Sequence, residues 1–199
     1  HLGYPEGKMH LTFLATEVLE TSVGTGLGYL LDTTDYEMLN GQITFRPKII
    51  HSWEIPFAED HHIPGGDEWL LFSPHNSDAQ IFPTDSSSGL PDQSLGGNWD
   101  GRIYLSSYHA GLWIIDIETL MLEGKNPDKN RTEVHSASTI GYHIPHGQDG
   151  TPLDSSYYDF GWTPFIWAAE YHNGYTYLSC ITTGLYIVQL DIDKPYHVS

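Results

Sequence analysis

GRIYLSSYHAGLWIIDIE, residues 101–118, is the stretch that decides the fold of this 199-residue chain. Ile103 and Leu105 alternate with polar or aromatic neighbours, a turn follows at residues 109–111, and residues 112–117 are almost continuously apolar. Strict alternation indicates a strand, and the apolar run indicates a second strand that is buried. The stretch therefore predicts a β-hairpin.

A second copy of this unit lies near the end of the sequence. Residues 174–192, GYTYLSCITTGLYIVQLDI, repeat the order of a glycine, Tyr-Leu-Ser, a short polar turn, Gly-Leu, an aromatic residue and Ile. Gly184 of this copy matches Gly111, which lies 73 residues earlier. Matched units of this kind are typical of a propeller or a solenoid.

The sequence predicts an all-β chain made of β-propeller blades, each a four-stranded antiparallel sheet. Approximate blades cover residues 11–56, 71–145 and 163–199, and the first two end on Ile-Pro. Proline cannot donate to a β-ladder, so it suits the end of an outer strand. Insertions at 83–100 and 120–133 explain why the repeat spacing exceeds the roughly 40 to 50 residues of one blade. No long helix is expected.

The number of blades predicts an incomplete propeller. Propellers close with about 4 to 8 blades, whereas this chain shows two clear units and a third, at its start, that fits the pattern only loosely. We expect the ring to be completed by remaining blades upstream of this sequence or by further copies of the chain. Without such completion, the terminal repeats would expose apolar faces.

The composition narrows the classes of partner. The chain holds 8 Lys plus Arg against 26 Asp plus Glu, which gives a formal net charge of −18. Nucleic acid is therefore not expected as a partner, since phosphate binding needs a basic face. No apolar run of about 18 residues occurs, so no membrane-spanning segment is expected. The single cysteine, Cys180, cannot form an internal disulfide and is expected in the core.

Three stretches, SPHNSDA (73–79), residues 101–118 and residues 164–191, resemble the LVIVD-repeat family of β-propeller proteins, found on or outside bacterial and archaeal cells. In that family an inner strand opening with Pro-His-Asn precedes Gly, a Tyr-rich strand, Ala-Gly-Leu and a strand ending on Asp-Ile or Asp-Val. The resemblance implies an extracellular or cell-surface propeller, and the sequon at 130–132 also favours export. It implies a non-enzymatic interaction or assembly module that binds a protein or surface polymer through its loops.

Histidines are the first candidates for a site, because the chain holds 12 of them. Several lie at junctions between outer and inner strands, which can converge on one face of a propeller. Imidazole is a common ligand of zinc and copper. The predicted metal ligands are His61, His62, His75, His143 and His146.

His75 has two interpretations. It follows a proline at the start of an inner strand, where side chains point towards the central channel. The distantly similar methanethiol oxidase and selenium-binding family places propeller histidines around a metal, so a copper-dependent, oxidase-like propeller is the enzyme alternative. The matching position of the last blade, residues 165–167, offers no metal ligand. The favoured interpretation is therefore that His75 and Asn76 bond the backbone of the neighbouring blade.

Loops supply the remaining candidates. Calcium would find carboxylates in the acidic loops, although no EF-hand pattern is present. The acidic candidates are Asp85, Asp92, Asp100 and Asp128.

Aromatic residues make up 13% of the chain and give a further alternative, a glycan-binding propeller. Trp69, Trp99 and Trp162 lie in or beside loops, where they are expected to stack on a sugar or peptide. Trp113 and Trp167 are expected to pack between blades. Neither a G-x-S-x-G elbow nor an H-E-x-x-H motif occurs, so the hydrolase signatures are missing.

Overall fold

The computed structural model consists mostly of β-strands in small antiparallel sheets, which confirms the all-β prediction. One short helix accompanies them. The structure describes residues 2–3, 10–17, 26–56, 73–79, 101–124, 138–145 and 164–190.

The first sheet has four strands in the order β1, β2, β3, β6. Its strands are β1 (Leu2–Gly3), β2 (His10–Ala15), β3 (Gly28–Asp32) and β6 (Lys48–Trp53). Strand β2 ends at Ala15, where the chain leaves the sheet. There the Thr16 amide and hydroxyl both donate to the Leu27 carbonyl oxygen.

A separate hairpin, β4 (Tyr36–Leu39) and β5 (Gln42–Phe45), is inserted between β3 and β6. This insertion explains why the sequence around residues 38–47 does not fit the repeat. Its turn is Asn40-Gly41, where both residues have positive φ, 52° and 78°. Those angles match the two-residue turn that the right-handed twist of a hairpin favours.

The central sheet has four strands in the order β10, β9, β8, β7. Its strands are β7 (Ser77–Ala79), β8 (Arg102–Ser107), β9 (Gly111–Asp116) and β10 (Thr139–His143). The third sheet has three strands, β11 (Ile166–His172), β12 (Tyr175–Cys180) and β13 (Gly184–Val188). The hairpins β8–β9 and β12–β13 confirm the two strand pairs predicted from the repeat.

Both faces of the central sheet are buried, and each contributes to a different core. Ile103, Leu105, Trp113 and Ile115 on one face pack with residues of the first sheet, among them Trp53. On the opposite face, a second set packs with the third sheet: Tyr104, Leu112 and Ile114 with Ala169 and Leu178. The three sheets therefore lie face to face in chain order, with the β8–β9 hairpin in the middle.

Polar contacts fix the relative positions of the sheets. The Trp53 indole N–H donates to the Thr139 hydroxyl at 2.8 Å, which joins the first sheet to β10. On the other side, the Tyr171 amide donates to Asp78 Oδ2 at 2.8 Å, which joins β11 to β7. The rings of Tyr104 and Tyr171 stack with centroids 4.5 Å apart at the same boundary.

A helix, α1 (Ile117–Gly124), follows β9 directly, and its start was wrongly assigned from the sequence. Residues 120–133 were predicted as an insertion, whereas the helix extends to Gly124. Asp116 caps this helix, because its Oδ1 accepts the Thr119 amide at 2.8 Å. Ile117 and Leu120 then enter the core shared with the first sheet. Asp32 forms a turn after β3, since its Oδ1 accepts the Thr34 amide.

Gly111 is the repeated glycine whose geometry is most restrictive. Its φ is +77°, and an added Cβ would lie 2.3 Å from the His143 carbonyl oxygen. At the matching Gly184, φ is +98° but nothing lies within 4 Å of an added Cβ. At both positions a side chain would strain the backbone, because φ is positive. Only at Gly111 would the side chain also collide with β10.

Gly111→Ala and Gly184→Ala separate these two effects. We expect Gly184→Ala to lower the free energy of unfolding by about 1 kcal/mol, for the left-handed backbone alone. Gly111→Ala should cost about 1 to 3 kcal/mol more, because β10 must shift away from β9. Urea denaturation measures both values, and equal losses would contradict the close packing of β10 against Gly111.

Candidate functional site

A group of polar and aromatic side chains gathers where the three sheets meet, and we call it the junction cluster. It lies at the end of β8, before β7, near the start of β11 and just beyond β2. Its members are Glu17, His75, Asn76, Ser106, Tyr108 and Trp167.

A β-bulge in β11 creates the centre of the cluster. Ile166 pairs with Cys180 and Ala168 with Ser179, so Trp167 is the extra residue between two consecutive ladder pairs. Bulges disturb the ladder locally and redirect the residue that they contain. The Trp167 carbonyl oxygen accordingly points to the central sheet instead of to β12.

Three side chains lie at hydrogen-bond distance from that carbonyl oxygen. His75 Nδ1 lies 2.6 Å from it, Asn76 Nδ2 3.1 Å and Ser106 Oγ 3.0 Å. This is the backbone interaction that the sequence favoured for His75 and Asn76. Because a carbonyl can only accept, Nδ1 of His75 must carry a proton.

The opposite nitrogen of His75 faces a carboxylate. His75 Nε2 lies 3.8 Å from Glu17 Oε1, and the Tyr108 hydroxyl donates to the same oxygen. The His75 side chain is only 13% exposed, whereas that of Glu17 is 42% exposed.

Aromatic rings enclose His75 on two sides. The His75 ring centroid lies 4.3 Å from that of Trp167 and 5.0 Å from that of Tyr108. Phe165 packs on the far side of Tyr108, at 4.8 Å. Trp167 was predicted to pack between blades, but its side chain is 44% exposed. The cluster therefore presents an indole and a carboxylate to solvent, on a base of buried rings.

Tyr108 is the most constrained member. Its φ is +24°, which a bulky residue rarely adopts, and its carbonyl accepts the Ile166 amide at 3.0 Å. Burial first, and the hydrogen bond to Glu17 second, raise the pKa of the Tyr108 phenol well above its ordinary value. Tyr108 therefore remains a neutral hydrogen-bond donor at physiological pH.

Cys180 lies in the core of the third sheet, as predicted. Burial alone would raise the pKa of its thiol. Hydrogen bonds from the hydroxyls of Thr182 and Thr183 and from the Phe165 amide act in the opposite direction and leave that pKa below its ordinary value. Its side chain is nevertheless buried, so solvent does not reach the sulfur.

Only two of the five predicted metal ligands, His75 and His143, lie among the described residues. His75 belongs to the junction cluster, whereas His143 ends β10, in register with Leu112. His61, His62 and His146 lie outside the described residues. Within the part of the chain that is described, no group of three or more His, Cys, Asp or Glu side chains could hold a metal ion. The transition-metal site stays a prediction.

The loop candidates also stay predictions. The calcium carboxylates of residues 85, 92, 100 and 128 fall outside the described ranges, as do Trp69, Trp99 and Trp162. Conversely, sequence reasoning missed Glu17 and the exposed side of Trp167. Glu17 belongs to no sequence motif that marks a site, and a β-bulge leaves no residue pattern that would reveal Trp167.

Comparison with protein-family models, with curated proteins and with solved structures found no match to this chain. The resemblance to LVIVD repeats therefore stays a prediction from motifs. Among the described residues, no helix is long and apolar enough to cross a membrane.

Replacing Tyr108 by Phe tests the hydrogen bond to Glu17. Below the ordinary tyrosine pKa of 10.0, the folded and unfolded phenols are both protonated, and the bond is fully present. As the pH rises beyond that value the unfolded phenol ionises first, so the stabilisation is lost as the pH approaches the raised folded pKa. Tyr108→Phe should therefore lower the free energy of unfolding by about 1 kcal/mol at neutral pH.

The same variant should show a weaker decline of stability above pH 10, measured by urea denaturation across that range. Tyr175→Phe, at an exposed position of β12, is the matched control and should follow the wild type. An alkaline decline that is identical in all three proteins would show that the Tyr108 phenol is not held in its neutral form.

Proposed function

We propose that this chain belongs to an extracellular or cell-surface β-propeller that acts as a non-enzymatic interaction module. The proposal is supported by which polar groups of the junction cluster bond to the protein itself and which face solvent. His75 Nδ1, Asn76 and Ser106 bind a single carbonyl between sheets, so they serve assembly. The groups left facing solvent are an indole and a carboxylate, which suit recognition of a partner.

The arrangement of the sheets supports a propeller. Small antiparallel sheets follow one another in chain order, face to face, and the two complete ones hold four strands each. Blades of a propeller have this composition and this sequential packing. Inner strands β7 and β11 lie side by side at the junction cluster, as neighbouring blades would near a central channel.

The solvent-facing groups favour a cationic partner. Trp167 offers the aromatic face that binds ammonium and guanidinium groups most strongly, and Glu17 supplies negative charge beside it. The net charge of −18 would also attract a basic partner from a distance. We therefore propose a protein that presents Arg or Lys side chains to the junction cluster.

A decapeptide of alternating Arg and Gly is a direct probe of this site, with calorimetric titration as the measurement. We expect Trp167→Ala and Glu17→Gln each to weaken binding by about tenfold, through loss of the cation–π contact and of the opposite charge respectively. Tyr36→Ala, which removes an exposed aromatic ring on the separate hairpin, should leave the affinity unchanged.

An affinity that Trp167→Ala leaves unchanged would mean that the peptide binds only to the diffuse negative charge. A neutral oligosaccharide that binds in place of the peptide, with the same dependence on Trp167, would replace the protein partner by a glycan. Binding of neither probe would contradict the proposed site.

One observation favours the metal-dependent alternative. The hydrogen bond from Nδ1 to a backbone carbonyl is the arrangement that commonly orients a metal-ligating histidine, and it leaves Nε2 of His75 directed at Glu17. Two ligands do not complete a copper or zinc site, so the others would have to come from outside the described residues.

Titration with Cu²⁺ and with Zn²⁺ separates the two functions. The non-enzymatic proposal expects no stoichiometric uptake. One ion per chain that is lost in His75→Ala and retained in His172→Ala, at an exposed histidine of β11, would instead support a metal-dependent, oxidase-like propeller.

A further inference from the structure

The sheets are stacked in a constant direction: each contact joins the same two kinds of sheet face. The central sheet defines these two faces. We name its two sides after their residues. The A face carries Ile103, Leu105, Trp113 and Ile115 and contacts the first sheet. The B face carries Tyr104, Ser106, Leu112 and Ile114 and contacts the third sheet.

In the third sheet, the repeat spacing of 73 residues identifies the same two faces. The residues equivalent to the A face include Leu178, Tyr186 and Val188, and they pack on the central sheet. Those equivalent to the B face lie on the opposite side. Among them, Leu185 is 64% exposed and Ile187 is 59% exposed. In the central sheet, the B-face residues are covered by the third sheet. The equivalent B-face residues of the third sheet are exposed.

The first sheet completes the pattern. Asp32 ends β3 as Asp116 ends β9, which matches Leu30 with Ile114 and Leu31 with Ile115. Leu30 is buried against the central sheet, so the first sheet uses its B face there. Its A face points outward.

That outward A face is also apolar and uncovered. Leu14 on β2 is 49% exposed and Ile49 on β6 is 63% exposed. The ladder places them on one side of the sheet, since Leu31 pairs with both Thr12 and Ile49 and Leu14 pairs with Tyr29. Among the described residues, both contacts between stacked sheets therefore join a B face to the A face of the next sheet, and one face of each kind is exposed.

We propose that a second copy of this chain fills the open B face, with the A face of its own first sheet. The two open faces are counterparts of faces that already pack against each other twice within the chain. A contact between different patches is head-to-tail, so repetition leads to a ring or a filament and not only to a dimer. The open faces contain no member of the junction cluster, so each proposal can fail without the other.

Sedimentation velocity over about 1 to 200 µM protein tests this directly. We expect the wild type to self-associate, and Ile187→Lys or Leu14→Lys to weaken that association at least about tenfold, because each places a charge on an apolar contact. Leu185→Lys is a second B-face variant, in case one substitution affects folding. Leu122→Lys, at an exposed position of α1, should behave as the wild type.

Mixing the two single variants tests whether a B face pairs with an A face. Ile187→Lys keeps an intact A face and Leu14→Lys an intact B face, so the mixture should form a heterodimer at concentrations where neither variant associates alone. Since copies with a net charge of −18 repel one another, association should strengthen as NaCl rises from about 0.05 to 0.5 M.

Two results would overturn the proposal. A wild type that remains monomeric across the concentration range would show that the open faces do not receive another copy. Association of Leu14→Lys with itself would show that identical faces pair, and not a B face with an A face. Folding of each variant is checked by its far-ultraviolet circular dichroism spectrum and urea midpoint.

Discussion

The burial of the β8–β9 hairpin on both faces is the constraint on which the remainder of this structure depends. Alternating side chains of the two strands enter two separate cores, one shared with the first sheet and one with the third. Neither core exists without its outer sheet, because a single sheet cannot bury both of its own faces. The three sheets are therefore joined by two packing contacts, and the β8–β9 hairpin belongs to both of them.

The polar chemistry of the chain is organised by the same packing. Where β11 meets the central sheet, the bulge at Trp167 frees one carbonyl, and His75, Asn76 and Ser106 converge on it. The bulge leaves that carbonyl without a partner on β12, and these three side chains supply its hydrogen bonds, so they have a structural role. His75 can thus be explained by sheet assembly, while the neighbouring Trp167 indole and Glu17 carboxylate stay partly exposed.

Much of the fold could be predicted from sequence, because the evidence for it is local and repeated. The period-two alternation around Ile103, the matching glycines and the Ile-Pro endings indicate strands without any reference to tertiary contacts. The β4–β5 hairpin could not be placed in this way, since it interrupts the repeat. Helix α1 was missed because its cap, Asp116, is equally suited to a turn.

The site was less predictable, for physical reasons. His75 could be singled out by its position after Pro74, but its partner carbonyl lies more than 90 residues away and is exposed by a bulge that no pattern encodes. Glu17 joins the cluster only because the chain leaves β2 at Ala15. Long-range contacts of this kind depend on how sheets pack, and the spacing of residues within one blade carries no information about them.

Hydrogen–deuterium exchange of the backbone amides measures the central claim most directly. Amides of β8 and β9 should exchange most slowly, because opening them requires both cores to separate, whereas those of β12 and β13 need only the third sheet to detach. The β4–β5 hairpin, which is exposed on both faces, should exchange fastest of these elements. Equal protection of β8–β9 and β12–β13 would contradict an account in which the central hairpin is buried twice.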